Sequence, residues 1–254
     1  MRAARRFEPV RSSPRLVRRR SEERVELWTE TVGDLPPVYG EGWLERDGRA
    51  YRRFEPARSK LAAGIAGGWS GPIPRLGERW LYLGAASGTT ASHVADLVGR
   101  GGAVHVVEPS VRPFLQLLEV ARRYPNLLPI LGDGRRPDDY GGSVPTVDGV
   151  YADVAQPDQS EIVARNARAF LRPGGTVLFV VKTASLGREG RPLEGLARAL
   201  EALPPELAIG ERRPLEPFHR RHFLVAGRFG TGPDRPPAGP RIRPRSVRPA
   251  GRPR

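Results

Sequence analysis

Trp80-Leu81-Tyr82-Leu83-Gly84-Ala85-Ala86-Ser87-Gly88-Thr89-Thr90 is the stretch on which the reading of this chain turns. Four large apolar residues in a row are too few for a helix and suit a strand buried on both faces. The run stops at Gly84, and a second glycine at 88 precedes two hydroxyl residues that open a helix through His93, Val94 and Leu97. Outward from this unit the alternation repeats. Strands are expected at 103–107, 127–131, 147–152 and 176–181, with helices at 114–123, 160–171 and 193–203. The runs at 207–213 and 223–229 have no helix between them, so one of the two should be an antiparallel partner. Seven strands alternating with helices make an α/β fold, Rossmann-like, with a mostly parallel sheet covered on both faces. Upstream, 25–54 alternates short apolar and polar pieces with turn residues, which reads as a small β-rich module. No internal repeat is visible.

Composition adds limits. The chain has 254 residues, no Cys, and 42 Lys+Arg against 28 Asp+Glu, a net charge of +14. Without Cys there is no disulfide, no thiolate metal site and no cysteine nucleophile. The longest apolar run in a strand, 177–181, is far too short to cross a membrane, and the Arg-rich start is not followed by an apolar stretch. A soluble, cytoplasmic protein with no membrane partner is therefore expected. The charge is uneven. Residues 1–24 carry nine Arg and three Glu, and residues 230–254 seven Arg, one Asp and seven Pro, leaving only +2 for the rest. This divides the chain into a basic flexible arm (1–24), the β module (25–55), the α/β domain (56–229) and an Arg/Pro/Gly-rich disordered tail (230–254). Such arms attract phosphates, although a G+C-rich codon bias would produce the same composition. Only two of the 42 basic residues are lysines, Lys60 and Lys182. Where arginine serves nearly everywhere, a lysine suggests a position that needs a compact ammonium.

The ends of successive strands carry chemistry. After the Gly84 loop, the second strand ends in Glu108, the third leads to Asp133 and the fourth to Asp153. Each acid alone would be a solvated turn residue, and the glycine loop alone a tight strand–helix junction. Together, on the one edge where such sheets bind ligands, they point to a nucleoside-containing cofactor, with Glu108 placed for a ribose diol and Asp133 for an adenine amino group. The loop is not GxGxxG, and no phosphate-clamping Lys follows it. A cofactor with adenosine and no phosphate is S-adenosylmethionine.

Several stretches then resemble the fibrillarin family, the ribose 2′-O-methyltransferases of box C/D guide ribonucleoproteins. They are Val38-Tyr39-Gly40-Glu41, Arg58-Ser59-Lys60-Leu61-Ala62-Ala63, the run from Tyr82 to Thr90, Ala152-Asp153-Val154-Ala155-Gln156-Pro157-Asp158-Gln159, and Leu215-Glu216-Pro217 with His222. The resemblance runs from about residue 38 to 229 and implies the S-adenosylmethionine-dependent methyltransferase fold. It implies cofactor contacts at Gly84, Thr89, Thr90, Glu108, Pro109, Asp133, Gly134, Asp153, Val154, Ala155 and Gln156. It also implies a catalytic set of Lys60, Asp153, Lys182 and His222, on which both lysines fall, and no metal. In that chemistry Lys182 would stabilise alkoxide charge, and Asp153 would orient the hydroxyl or accept its proton. Lys60 and His222 would hold ribose and phosphate or orient the other two. The implied partners are a box C/D guide RNA with its rRNA or tRNA target, a Nop-family scaffold protein and a kink-turn-binding ribosomal-type protein. Two departures stand out. His219-Arg220-Arg221 precedes His222 where the family alternates acidic and basic residues, and Pro109 follows Glu108 where relatives carry an aromatic or other residue. The short arms make it similar to the archaeal form. His93 and His105 match nothing catalytic and are expected to be structural, and the spacing of His219 and His222 alone makes no metal site.

Overall fold

The computed structural model describes residues 7–10, 13–20, 25–33, 37–186 and 191–230. Two sheets organise it. The larger contains β6 (Arg79–Leu83), β7 (Ala103–Glu108), β8 (Leu127–Leu131), β9 (Val147–Ala152), β10 (Leu171–Lys182), β11 (Leu207–Pro214) and β12 (His222–Phe229). Its spatial order is β11-β12-β10-β9-β6-β7-β8. The five strands from β10 to β8 are parallel to one another, and β12 runs antiparallel between β10 and β11. The expected antiparallel partner is therefore β12, wedged inside the sheet. Helices α2 (Thr89–Val98), α3 (Val111–Ala121), α5 (Gln159–Phe170) and α6 (Pro192–Glu201) fill the expected crossovers. A short α1 (Lys60–Ala66) precedes the sheet, and a one-turn α4 (Pro137–Tyr140) follows β8. The helix expected to reach residue 171 ends at Phe170, and β10 starts earlier than 176, through a register shift between Leu171 and Thr176.

The strand pattern explains the layers. Trp80 and Tyr82 join one core with Tyr151, Leu178 and Leu224, while Leu81 and Leu83 join the other with Val150, Phe179 and Val181. Alternate residues of one strand thus supply opposite cores, which is why the sequence shows unbroken apolar runs.

The second sheet is antiparallel, in the order β1-β2-β3-β5-β4, with β1 (Phe7–Val10), β2 (Ser13–Arg20), β3 (Val25–Glu30), β4 (Trp43–Arg46) and β5 (Arg49–Arg53). This corrects the expected flexible arm over 1–24, because its described residues are strands. Counting charge hid the cause: Ser13, Leu16 and Val17 are buried, and Arg15 spends its guanidinium on Asp96 O (2.6 Å), Glu30 Oε1 (3.0 Å) and Glu30 O (2.8 Å). The tail expected to be disordered lies outside the described residues beyond Gly230. No described helix is long and apolar enough to cross a membrane.

A buried ionic network fastens this sheet to α2. Arg52 is 1% exposed and pairs with Glu41, with Asp96 Oδ2 (3.0 Å) and with Tyr124. Asp96 also accepts from Thr29 Oγ1 (2.9 Å) and Val32 N (2.9 Å), and His93 sits between Thr29 Oγ1 (2.8 Å) and Tyr39 OH (3.0 Å). Burial pushes the Asp96 carboxyl above its usual range, opposed by Arg52; burial and Arg52 together push His93 well down, so the ring is neutral. His93 is thus structural, as expected. Removing Arg52 strands two buried carboxylates. Arg52→Met, which keeps the volume, should therefore lower the unfolding free energy by about 3–5 kcal/mol in urea titration. A loss within that of an exposed ion pair, below about 1 kcal/mol, would show the network to be idle.

Candidate functional site

Four strand ends converge on one edge of the large sheet. After β6 the chain turns at Gly84 with φ +75°, and a Cβ there would lie 2.9 Å from Asp153 O, so only glycine lets the loops after β6 and β9 touch. Two main-chain bonds cross-link the edge, Gly84 N to Val107 O (2.9 Å) and Asp153 N to Leu83 O (3.0 Å). Ala86 holds a positive φ of 49° because its N–H donates to Glu108 Oε2 at 2.9 Å. Glu108 Oε1 accepts from Ser110 N at 3.0 Å. The buried Glu108 carboxylate thus braces the loops on both sides of it, and each oxygen keeps a lone pair for a further donor. Pro109 is exposed beside it.

The neighbouring loops are tied to one another. Asp133 Oδ1 accepts from Arg135 N (2.9 Å), and the Gly134 carbonyl accepts from Asn166 Nδ2 (2.8 Å). Arg135 bridges onward to Asp158 (2.7 Å to each oxygen) and to Gln156 Oε1 (2.9 Å). Val154, Ala155 and Gln156 form the turn after Asp153, with Ala155 and Gln156 exposed. Thr89 opens α2 at the mouth of the Gly84 loop. Thr90 is turned inward, its hydroxyl donating to Ser59 Oγ at 3.1 Å.

Asp153 is the centre. Its side chain is 8% exposed, with Lys60 Nζ 2.9 Å from Oδ2 and Lys182 Nζ 2.7 Å from Oδ1. Lys182 Nζ also donates to the main-chain O of Asp153 (2.9 Å), so one ammonium group ties the carboxylate to its own backbone. Both lysines are therefore brought onto one carboxylate. Lys60 arrives as the first residue of α1, whose N-cap Ser59 accepts from Ala62 N at 3.4 Å. Lys182 ends β10, and Gln159 grips it through both main-chain groups, Lys182 N to Oε1 (3.0 Å) and Nε2 to Lys182 O (3.2 Å). His222 pairs with Lys182 in the β10–β12 register. Its Nδ1 lies 2.7 Å from Arg220 O. A carbonyl only accepts, so Nδ1 carries a proton and the bond fixes the orientation of the ring.

Beneath the cluster Tyr82 and Tyr151 stack at 4.5 Å between centroids. Burial pushes both phenols well up, helped by the Asp153 charge, so they stay neutral. Ser59, Gln159 and Arg135 were missed as site residues from the sequence. Gln159 stood inside a quoted stretch, but nothing in its type announces a bond to the main chain.

The arrangement offers a glycine-lined cradle edged by carboxylates, and beside it a carboxylate between two ammonium groups. Known proteins resemble the chain that carries it. The family model described as Fibrillarin matches residues 15–231. A fibrillarin-like rRNA/tRNA 2′-O-methyltransferase of Methanopyrus kandleri is 43% identical over 204 residues, covering 79% of this chain and 87% of that one. The crystal structure of Aeropyrum pernix fibrillarin with natively bound S-adenosyl-L-methionine superposes with a TM-score of 0.80 at 39% identity, over 87% of this chain and 97% of that one. A fibrillarin from a fibrillarin/Nop5p complex gives 0.73 at 40% identity, over 80% and 94%.

The Gly84 contact is testable against a matched control. Gly77 has φ +82° with nothing within 4 Å of a Cβ. Gly77→Ala should lose only the backbone cost of about 1–2 kcal/mol. Gly84→Ala should lose clearly more in the same urea titration, because the Asp153 loop must also shift; equal losses would mean the two loops are not in obligatory contact.

Proposed function

Because this chain belongs to the fibrillarin family, we propose that it transfers a methyl group from S-adenosylmethionine to ribose 2′-hydroxyls of rRNA and tRNA, as the catalytic subunit of a box C/D guide ribonucleoprotein. The observation that carries the reading is the mostly buried Asp153 carboxylate held between Lys60 and Lys182, with His222 beside Lys182 in the sheet register.

The cradle fits the cofactor. The close approach at Gly84 has no room for a side chain, and Glu108 keeps lone pairs on both oxygens for a ribose diol. Gly84, Thr89, Thr90, Glu108, Pro109, Asp133, Gly134 and the turn from Asp153 through Val154 and Ala155 to Gln156 hold it. Thr90 contributes by fixing the start of α2 against Ser59. When bound, S-adenosylmethionine supplies an electrophilic methyl group on its sulfonium.

A ribose hydroxyl is a weak nucleophile and must be placed and deprotonated as it attacks. The Asp153 carboxylate accepts its hydrogen bond, which sets the direction of the attacking lone pair and the path by which the proton leaves. The Lys182 ammonium faces the negative charge that grows on the oxygen, and Lys60 holds the other carboxylate oxygen in place. His222, its Nδ1 tied to Arg220, presents Nε2 to the ribose. With two ammonium groups to one carboxylate, the site also favours the adjoining phosphate.

Residues 25–229, which carry the site, have a net charge of only +2, so the site borrows its RNA specificity. A Nop-family scaffold, a kink-turn-binding ribosomal-type protein and a guide RNA complete the particle. The relative in complex with Nop5p supports the first of these.

In the reconstituted particle, Lys182→Arg should lower kcat about 10²–10³-fold, because the guanidinium cannot occupy the ammonium position. Asp153→Ala should cost about 10²–10⁴-fold. Cofactor affinity after Lys182→Arg and the unfolding midpoints of both variants separate chemistry from folding. Wild-type kcat in either folded variant would reject these roles.

A further inference from the structure

Lys182 stands where the sheet stops supporting it. The pairing of β9 with β10 ends at Ala152 and Phe179, and the next residue of the β9 side, Asp153, gives its N–H to Leu83 O instead. Lys182 lies beyond that last pair. On its other side β12 sets His222 opposite it, and Thr183 N donates to Arg221 O (3.2 Å) in the following pair. Bonded and non-bonded pairs alternate along an antiparallel ladder. The Lys182–His222 pair is therefore non-bonded, and the N–H and C=O of Lys182 point to the side that β9 has left. There they would be orphaned. Gln159 meets both, Oε1 accepting from Lys182 N (3.0 Å) and Nε2 donating to Lys182 O (3.2 Å). A primary amide carries an acceptor and a donor side by side, as a strand does, so this side chain continues the ladder past its end.

The clamp is itself fixed. Gln159 is fully buried and opens α5. On one side of it Asp158 is held by Arg135 (2.7 Å to each oxygen), and on the other Ser160 Oγ donates to Ala199 O of α6 at 2.7 Å. Successive side chains thus pin the start of α5 to separate parts of the molecule. The segment from Asp153 to Gln159 then closes on Lys182 at both ends, its first residue on the ammonium group and its last on the main chain.

We infer that Gln159 is a positioning residue for methyl transfer: by holding the main chain of Lys182, it sets where the Lys182 ammonium group stands against Asp153 and the attacking ribose oxygen. It acts through Lys182 and not on the substrate. Glutamate does not replace it, because an ionised carboxylate has only acceptors and one of them would face the Lys182 carbonyl. The inference rests on the function proposed above and deepens it.

With only two lysines in the chain, a test is open that needs no methyl transfer. In the whole chain, isotopically labelled at lysine Cε, nuclear magnetic resonance gives one line each for Lys60 and Lys182, and Lys182→Arg identifies the second by its loss. Gln159→Met keeps the length of the side chain and removes both bonds. It should shift the Lys182 line, and by more than that of Lys60. In the reconstituted particle the same variant should lower kcat about ten- to a hundredfold, with KM for target RNA and cofactor affinity unchanged, since misplacement by about 1 Å suffices for such a loss. Gln159→Glu should regain kcat relative to the wild type as the pH is lowered. Only the protonated carboxyl can donate to Lys182 O, and burial raises the pH at which it forms. A Lys182 line in its wild-type place overturns the inference, as does wild-type kcat in folded Gln159→Met. A Gln159→Glu defect that is the same at every pH also overturns it, and so does a loss of cofactor affinity in place of kcat. A shifted Lys182 line, together with a wild-type particle that transfers no methyl, defeats the reaction proposed above and leaves the clamp standing.

Discussion

A carboxylate gripped by two ammonium groups at the ends of adjoining strands sets the terms for the rest of this molecule. Each charge loses part of its hydration, so the arrangement holds only where the partners are fixed close together. Asp153 comes from β9, Lys182 from β10 and Lys60 from the first turn of α1, three elements far apart in the chain. The sheet supplies the first two through parallel pairing. The third depends on Ser59, buried and bonded to Thr90, so that the start of α1 and the start of α2 are set by one hydroxyl contact. Cofactor cradle and ion cluster therefore share a support, and a shift in one is felt in the other.

The N-terminal sheet follows the same logic from behind. Arg52, Glu41 and Asp96 make a buried ionic lock whose helical member, α2, is the helix that Thr89 and Thr90 begin. A hydrophobic contact of equal area would hold the two parts together. An ionic lock with its bonds satisfied also fixes their register, because a sliding interface would leave charges unpaired. The module thus acts as a brace for the helix at the mouth of the cradle.

Most of the fold was legible in the sequence, because parallel strands buried on both faces write themselves as short apolar runs. All seven strands of the large sheet and its four main helices were found this way. The first strands, Phe7–Val10 and Ser13–Arg20, were not, since counting arginines treats each as solvated, whereas Arg15 is spent on main-chain carbonyls and Glu30. The short α1 escaped for want of length. In the candidate site the two lysines and the acids at strand ends were readable as chemistry. Ser59 and Gln159 were not, for they act through main-chain hydrogen bonds that no side-chain pattern announces. Glu108 shows the limit from the other side: its position was foreseen, but its work in bracing Ala86 and Ser110 needed coordinates.

The central claim is that the Asp153 carboxylate, held by its two lysines, is built to meet a ribose hydroxyl. Its most direct test is transfer of labelled methyl, by the reconstituted particle, to paired target RNAs that differ only in ribose or 2′-deoxyribose at the guided position. The account predicts label on the ribose target alone, at a linkage that has become resistant to alkali. Label on the deoxyribose target would place the methyl on a base and contradict it.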